Sequence, residues 1–543
     1  MERVEPGLPR WLQRGLWVFS ALALLATFAR MFAGADFMDE AFYAVLAWRF
    51  VLGDTPFVDE INPVQTAALI TRPFVEVYTR IVGDTTGLLL ALRMLWFGGN
   101  LVLVALGWRV LRRHAPSALA GLCALFPLLL VPIGLPAPSY NTCASGFFAA
   151  GLYIALLALR PGNQPRWLLA AGACHALACV ALPTYALAIL LFALLTLRAR
   201  AHWCLWLAGG LIAVLPLAND LLRIGPATLG YVSNYWERER SWSEHTLEVL
   251  RQSVQLVPSP AWLCAALLLL LFALRFARGR SGAPIAIASV VLLVCCYADR
   301  RWASSVSFAS LVALIGVLMV RFLRPPAELT RSLFWPSLLG LLVAAFTSGN
   351  GLINGAFGGW PAAMLSILWL GLAARDYWSV LAPLCGSLLL LFAQRQPYNE
   401  DLITRFDERF TDGPYKGLWT SKDKRGYLDG IRGDVRAVVD ETKPILFAHQ
   451  FPAGYLFTRC RPATHTSFGL LRVPGELPPA HAARMREDIA FRVETGMLVV
   501  RMRMFQVQWD RRYEWPDTGG DEWIQAQQRL VKRPAWSIYR VER

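Results

Sequence analysis

Asp36, Asp39 and Glu40 place three carboxylates within five residues, directly after a long apolar run. Held near lipid, each is costly: the insertion penalty is a few kcal/mol at a helix centre and falls toward the interface. An ionisable cluster at that depth marks a candidate site. The chemistry it suits is removal of a proton from an acceptor hydroxyl, which needs a positioned Asp or Glu. Adjacent at a helix start, Asp39 and Glu40 diverge by about 100°, so they do not form a shared-proton dyad. One of them faces a cavity, and the other orients it or caps the helix. Asp39 before an apolar helix also suits an N-cap, and the whole cluster also suits a solvated loop that ends a helix. Asp36 reads as loop or cap.

Cations that match phosphate accompany the carboxylates. Arg72, Arg93, Arg300 and Arg301 fall on or near the outer side in the topology below, and the guanidinium fork fits phosphate oxygens. Arg93 lies early in an apolar span, where snorkelling to headgroups is its alternative role. Arg300 and Arg301 run against the positive-inside tendency; pairing with Asp299, or a headgroup contact, is theirs. The glycine- and asparagine-rich run 347–355 lacks the Lys-Ser/Thr of a nucleotide loop. His175 is a lone polar residue in an apolar span and reads as a satisfied core residue. No HExxH or clustered ligand set occurs, so the sequence supports no metal site. It identifies no cofactor, and leaves a divalent-metal requirement open.

The composition is that of a polytopic α-helical membrane protein. It has 543 residues, 56% of them hydrophobic and only 17% charged, with mean hydropathy +0.42; soluble proteins carry about 25% charged residues. The net charge of +15 does not imply nucleic acid, because much of the excess Lys/Arg lies in short loops between spans. Most of the ten cysteines lie in apolar segments, where Cys acts as a small hydrophobe. Neither a disulfide framework nor a CxxC pair is readable. The first apolar run reads as a retained signal anchor.

About thirteen spans are expected: 15–34, 86–110, 117–134, 142–159, a pair broken at Pro183 (167–182 and 184–197), 203–218, 260–276, 283–298, 303–320, 333–347, 358–373 and 377–394. Arg10 and Arg14 place the N-terminus in the cytoplasm, and nearly every loop assigned inside ends in Arg. The first outer loop, 35–85, carries two segments too polar to span, 38–52 and 64–82, expected to be helices in the interface. A second outer loop covers 219–259, with an amphipathic helix near 243–256. The odd span count puts 395–543 on the same side as the carboxylates. That region reads as an extracytoplasmic α/β domain, set apart from a membrane domain over 1–394. Its strand-like runs are 445–448, 498–502 and 537–540, and its helix-like stretches 422–441, 479–494 and 520–532.

An ordered set of residues resembles the GT-C class of membrane glycosyltransferases, near protein O-mannosyltransferases and aminoarabinose transferases. It comprises Asp39-Glu40 after the first span, Tyr43, Gly53-Asp54-Thr55-Pro56-Phe57-Val58-Asp59, Pro63, Gly83-Asp84 and Leu92-Arg93. Pro138-Ser139-Tyr140-Asn141 is similar to uncharacterised bacterial members. The resemblance implies a GT-C-like fold and an enzyme of a bacterial cytoplasmic (inner) membrane. It implies transfer of a sugar from a polyprenyl-phosphate or -diphosphate carrier to an extracytoplasmic acceptor, with Asp39 as base or acceptor-orienting group and Glu40 supporting it. Tyr43, Asp59, Glu60, Tyr140 and Asn141 are the expected substrate-binding residues. Tyr140 and Asn141 suit hydrogen bonds to sugar hydroxyls, although Tyr140 also suits an interfacial anchor. One departure stands out. Aminoarabinose transferases carry Lys-Pro-Pro where this chain reads Ile61-Asn62-Pro63-Val64, so an arginine must serve the phosphate. Two other readings fit the same residues: a transporter or flippase of a lipid-linked glycan, and a non-catalytic scaffold for envelope enzymes.

Overall fold

The structure is a computed structural model. It describes residues 8–222 apart from 61, 132 and 133, then 305–465 apart from short gaps, and most of 494–542. The expected spans 260–276 and 283–298, the outer loop 219–259 beyond residue 222 and the helix at 479–494 lie outside the described residues, a few isolated positions aside.

The first half is helical throughout: α1 (Arg10–Arg30), α2 (Asp39–Val51), α3 (Thr66–Val82), α4 (Leu88–Leu111), α5 (Ser117–Ala124), α6 (Phe126–Leu129), α7 (Tyr140–Ala158), α8 (Trp167–Ala181), α9 (Ala186–Thr196), α10 (Arg200–Val214) and α11 (Ala218–Leu221). After the gap come α12 (Ser305–Leu323), α13 (Ala327–Leu329), α14 (Trp335–Thr347), α15 (Leu352–Ala373) and α16 (Leu381–Ala393). Local chemistry sets several ends. Ser139 and Thr142 form a reciprocal capping box at the start of α7. Gly83, with φ 91°, closes α3 in the left-handed conformation that glycine adopts without a Cβ penalty.

The chain is a polytopic helical membrane protein, but the expectation of about thirteen spans needs correction. Among the described residues six helices are long and apolar enough to cross: Arg10–Arg30, Leu88–Leu111, Tyr140–Ala158, Arg200–Leu221, Ala327–Phe346 and Asn354–Ala373. Five further apolar helices are shorter. Seventeen residues or fewer reach about 25 Å at 1.5 Å per residue, short of a core of about 30 Å. Proline accounts for two of the breaks. Pro127 is the second residue of the one-turn α6 where a span was expected over 117–134, and Pro183 opens a 3₁₀ turn between α8 and α9.

Residues 402–542 add a sheet-containing region. Strand β1 (Glu408–Arg409) pairs antiparallel with β2 (Trp419–Thr420), followed by helix α17 (Lys422–Val438). A four-stranded sheet follows, made of β3 (Ile445–Phe447), β4 (Leu498–Met502), β7 (Gln528–Lys532) and β8 (Trp536–Arg540) in the order β3-β4-β8-β7. Only the β3–β4 pair is parallel. Between them β5 (Met504–Gln508) and β6 (Arg511–Glu514) make a separate hairpin. The helix expected over 520–532 is corrected: its last five residues are β7. Pairing with buried β8 across Arg533–Ala535 supplies hydrogen bonds that override local helical preference.

Two hydrophobic clusters organise the molecule. One fills the bundle around α4, α5, α7 and α15. The other joins the first loop to the C-terminal region, with Phe37, Val45, Trp48 and Leu89 packed with Leu428, Phe451 and Trp536. Helix α2 lies inside that second cluster. Ten of its thirteen residues are buried, so it is a covered core helix, not the half-exposed interfacial helix expected over 38–52. By contrast, α3 exposes Val77 and Ile81.

Candidate functional site

The loop between α1 and α2 is held from both sides. Trp419 N–H donates to Phe32 O at 2.7 Å, and Gly34 N–H donates to Trp419 O at 2.8 Å. The carboxylate loop and the C-terminal region therefore meet at the same end of the bundle. Gly34 has φ 87°, and a Cβ there would lie 2.7 Å from Pro397, so the close approach requires glycine. Glu400 accepts the Ala35 N–H at 2.6 Å and the Lys424 ammonium at 2.9 Å. Tyr415 donates its hydroxyl to Asp36 O at 2.9 Å.

Arg93 locks this loop to α4. Its Nε and Nη2 donate to the two oxygens of Glu40 at 2.6 Å each. Its remaining N–H groups reach Met31 O, Ala33 O and Gly34 O, all at 2.9 Å. A guanidinium has five N–H donors, and all five are spent. Arg93 and Glu40 are buried. The expectation that Arg93 binds donor phosphate is corrected on that ground, and Glu40 is a clasp residue whose oxygens face Arg93.

Of the two readings of Asp36, loop or cap, the structure has the cap. Asp36 caps α2, accepting the N–H of Met38 at 3.3 Å and of Glu40 at 2.7 Å. Burial first, and then the neighbouring Asp39 charge, push the Asp36 carboxyl up to about 7. Asp39, the first residue of α2, stays half-buried. A carboxyl whose folded pKa is raised costs stability as pH climbs from its unfolded value, near 4, through 7. Asp36→Asn removes the charge and keeps one acceptor oxygen, for the Glu40 N–H, at the loss of the longer bond from Met38. Its thermal inactivation midpoint relative to the unsubstituted protein is expected to rise between about pH 5 and about pH 8, by the equivalent of roughly 2–4 kcal/mol. A difference that stays flat with pH would show that Asp36 holds no proton in the folded protein.

Four more polar groups share the Asp39 neighbourhood. The Tyr43 and Tyr140 rings meet edge to face with centroids 5.9 Å apart. Tyr140 hydrogen-bonds the side chains of Asn141 and Asn354 and lies within electrostatic reach of Asp39. Asn354, on α15, comes from the polar run 347–355 and was not singled out by the sequence. Only its place in that loop, beside the Pro138–Thr142 turn, pointed toward it. Tyr43, Tyr140, Asn141 and Asn354 thus gather beside Asp39 from three helices.

The other expected residues lie apart from this group. Glu60 is fully buried, its Oε2 on Arg49 at 2.7 Å and its Oε1 on the Asn62 N–H at 3.0 Å. Arg49 spends its other donors on Asp54, Ser467 Oγ, Asp59 O and Thr464 O. Burial raises the Glu60 pKa, and the Arg49 charge opposes that shift. Substrate cannot reach a carboxylate enclosed in this way, so the expected contact at Glu60 is corrected to a structural ion cluster. Asp59 closes its own turn by accepting the Thr55 N–H at 2.6 Å. Arg72 is partly exposed, with Nη1 3.9 Å from Asp220. Arg300 and Arg301 lie outside the described residues. Among the described residues no group of three or more His, Cys, Asp or Glu is placed to hold a metal ion.

No protein-family model matches the chain, and no curated protein matches it. Among solved structures it is similar to ArnT from Cupriavidus metallidurans in the apo state, with 13% identity and a TM-score of 0.41 over 97% of this chain and 98% of that one. The same protein bound to undecaprenyl phosphate gives 12% and 0.41 over 96% and 97%. The archaeal oligosaccharyltransferase AglB from Archaeoglobus fulgidus, in complex with an inhibitory peptide and a dolichol-phosphate, gives 12% and 0.46 over 91% of this chain and 69% of that one.

Proposed function

We propose that the protein is a GT-C-like integral-membrane glycosyltransferase. It moves a sugar from a polyprenyl-phosphate or -diphosphate carrier to an extracytoplasmic acceptor in the glycosylation of envelope glycan, glycolipid or protein. The observation that carries this reading is the half-buried Asp39 within electrostatic reach of Tyr140, which gathers Tyr43, Asn141 and Asn354 around it. Asp39 takes the proton of an acceptor hydroxyl. The hydroxyl oxygen bonds to the anomeric carbon as the bond from that carbon to the phosphate oxygen breaks, and the carrier phosphate leaves with the bonding electrons. Tyr140 and the two asparagines supply hydrogen bonds to the sugar. Charge stabilisation on the leaving phosphate, often the largest catalytic contribution, falls to arginines other than Arg93.

The carboxylate end faces the extracytoplasmic side of a bacterial inner membrane, and the N-terminus the cytoplasm. In support, the opposite end of α4 carries Arg109, Arg112 and Arg113, with Arg160 donating to Arg109 O at 3.2 Å. Residues 395–543 complete the outer site by fixing the 31–37 loop over the membrane region 1–394.

The test is release of polyprenyl phosphate by the purified protein in liposomes supplied with short-chain polyprenyl-phosphate hexoses and pentoses and a mixed envelope fraction as acceptor. Absence of release with every carrier sugar, from protein that remains folded, would overturn the reading. Of the four arginines expected at the phosphate, Arg72 is the one that is described and not enclosed. Arg72→Ala is expected to raise KM for the carrier about tenfold or more, since a hydrogen bond to a charged group contributes about 1.5–3 kcal/mol, with kcat moved less. An unchanged KM would remove Arg72 from the phosphate site.

A further inference from the structure

Lys424 lies in the first turn of α17, and the helix does not account for it. A helix N-terminus favours negative charge, and an ammonium taken out of water is costly unless paired. Lys424 is nevertheless 2% exposed. Its partners belong to the carboxylate turn and the segment packed on it. Nζ meets Glu400 Oε1 at 2.9 Å and stands 4.7 Å from the centroid of the Phe37 ring. The same Glu400 oxygen accepts the Ala35 N–H at 2.6 Å and the Thr420 hydroxyl at 3.1 Å. Lys424 is therefore tied to the residues on either side of Asp36, through Glu400 to Ala35 and directly to Phe37.

The turn has charge to offset. Asp36 is buried and feels the charges of Asp39 and Glu40. Neighbouring carboxylates hold each other's protons on to higher pH unless a cation intervenes. Arg93, from α4, has spent its donors on Glu40 and three carbonyls. Tyr415 gives its hydroxyl to the backbone oxygen of Asp36, not to the carboxylate. Burial and then the Asp39 charge raise the Asp36 carboxyl, while the Glu40 N–H and the Lys424 charge oppose them.

We propose that Lys424 is a positioning residue for Asp39, the cation by which the C-terminal region holds the turn and lets Asp36 and Asp39 both be ionised near neutral pH. The role rests on Asp39 as the base proposed above. Ionised Asp36 raises the proton affinity of Asp39, and a stronger base takes the acceptor proton more readily. Once Asp36 is protonated that help is lost. Lys424 acts on Asp39 through Asp36 and needs no contact with substrate. The C-terminal region thus does more than cover the 31–37 loop, since a residue of α17 sets the pH at which the base works.

Two readings on the full-length protein in liposomes test this, one of them independent of activity. The first is the thermal unfolding midpoint by near-ultraviolet circular dichroism, compared between each protein and its Asp36→Asn counterpart. In the Lys424 protein the difference grows with pH and levels off above about 7, the value to which Asp36 is pushed. Lys424→Met removes an opposing cation, so the levelling is expected about one pH unit or more higher. Lys424→Arg keeps the charge and should restore it. The second reading is the pH profile of polyprenyl phosphate release in single turnover. Its acid limb should move up with Lys424→Met by a similar amount and return with Lys424→Arg. If Lys424→Met loses its native near-ultraviolet spectrum, Glu400→Gln with Lys424→Met takes its place. That pair removes both charges, keeps an acceptor for Ala35, and should move both readings the same way. Midpoint differences with unchanged pH dependence would overturn the proposal. So would a release limb that stays in place, whatever the fall in rate, because a purely structural pair lowers the rate without moving the limb. Absence of release from every protein would instead overturn the transferase reading, and the midpoints would still decide whether Lys424 governs Asp36.

Discussion

Asp39→Asn is expected to lower transfer from a polyprenyl-phosphate sugar by about 10²–10⁴-fold in kcat, the usual worth of a positioned general base, with little change in thermal stability. Asparagine keeps the size of the side chain and loses the negative charge and the ability to take a proton. The fold should tolerate it, because Asp39 is half-exposed and capping of α2 belongs to Asp36. Tyr140→Phe serves as a companion. It removes one hydroxyl from the Asn141 and Asn354 group and should cost about tenfold, appearing in KM as well as kcat. Single-turnover transfer measured with each variant separates the two effects. Transfer by Asp39→Asn within a few-fold of the unsubstituted protein would remove Asp39 as base and leave it at most an orienting group.

The second large effect is on stability. Arg93→Met leaves the buried Glu40 carboxylate without its guanidinium and takes the side-chain donors away from the carbonyls of Met31, Ala33 and Gly34. Removing one partner of a buried ion pair costs about 3–5 kcal/mol, a large share of a domain stability of about 5–15 kcal/mol. The inactivation midpoint in detergent is expected to fall steeply, and the yield of folded protein with it. The double variant Glu40→Leu with Arg93→Met should recover part of the loss, because apolar replacement of a whole buried pair is often close to neutral. Arg93→Lys should fall between, since an ammonium offers three donors where the fork offers five. A phosphate-binding Arg93 would give the opposite pattern: a raised KM for the carrier and an unchanged midpoint. Thermal inactivation and carrier KM measured on the same preparations therefore decide between clasp and ligand.

Glu60 and Asp59 show how far residue type and spacing reach. Both sit in an acidic turn at the mouth of the membrane region, where a carboxylate signals a site, and neither sequence neighbours nor hydropathy distinguish them from Asp39. The difference is made by Thr464 and Ser467, which bond to Arg49 and Glu60 from more than four hundred positions away. Phe57, held at φ 61° with its N–H on Gln65 at 3.0 Å, belongs to the same enclosed loop, whose conformation has no local signature. Helix α2 makes the same point for burial. Its apolar positions recur with helical spacing, which located it to within a residue at each end. Its charged residues, however, suggested a water-facing side, and Glu40 and Arg49 instead face buried partners.

By itself, the sequence determined the membrane class, the positions of most helices over residues 10–222, the strands at 445–447 and 498–502, and the carboxylate turn as the place to look. These rest on hydropathy, helical period, caps and chain breaks, which act over a few residues and are written where they act. Tertiary structure decided which arginine is a clasp, which carboxylate is enclosed, and that the C-terminal region seals the 31–37 loop. An arginine looks the same in sequence whether it meets phosphate or carboxylate. Its partner is chosen by the fold, across 53 residues for Glu40 and Arg93 and 365 for Ala35 and Glu400. Burial then settles the chemistry, because a charge withdrawn from water must spend every donor it has on whatever the fold brings within reach.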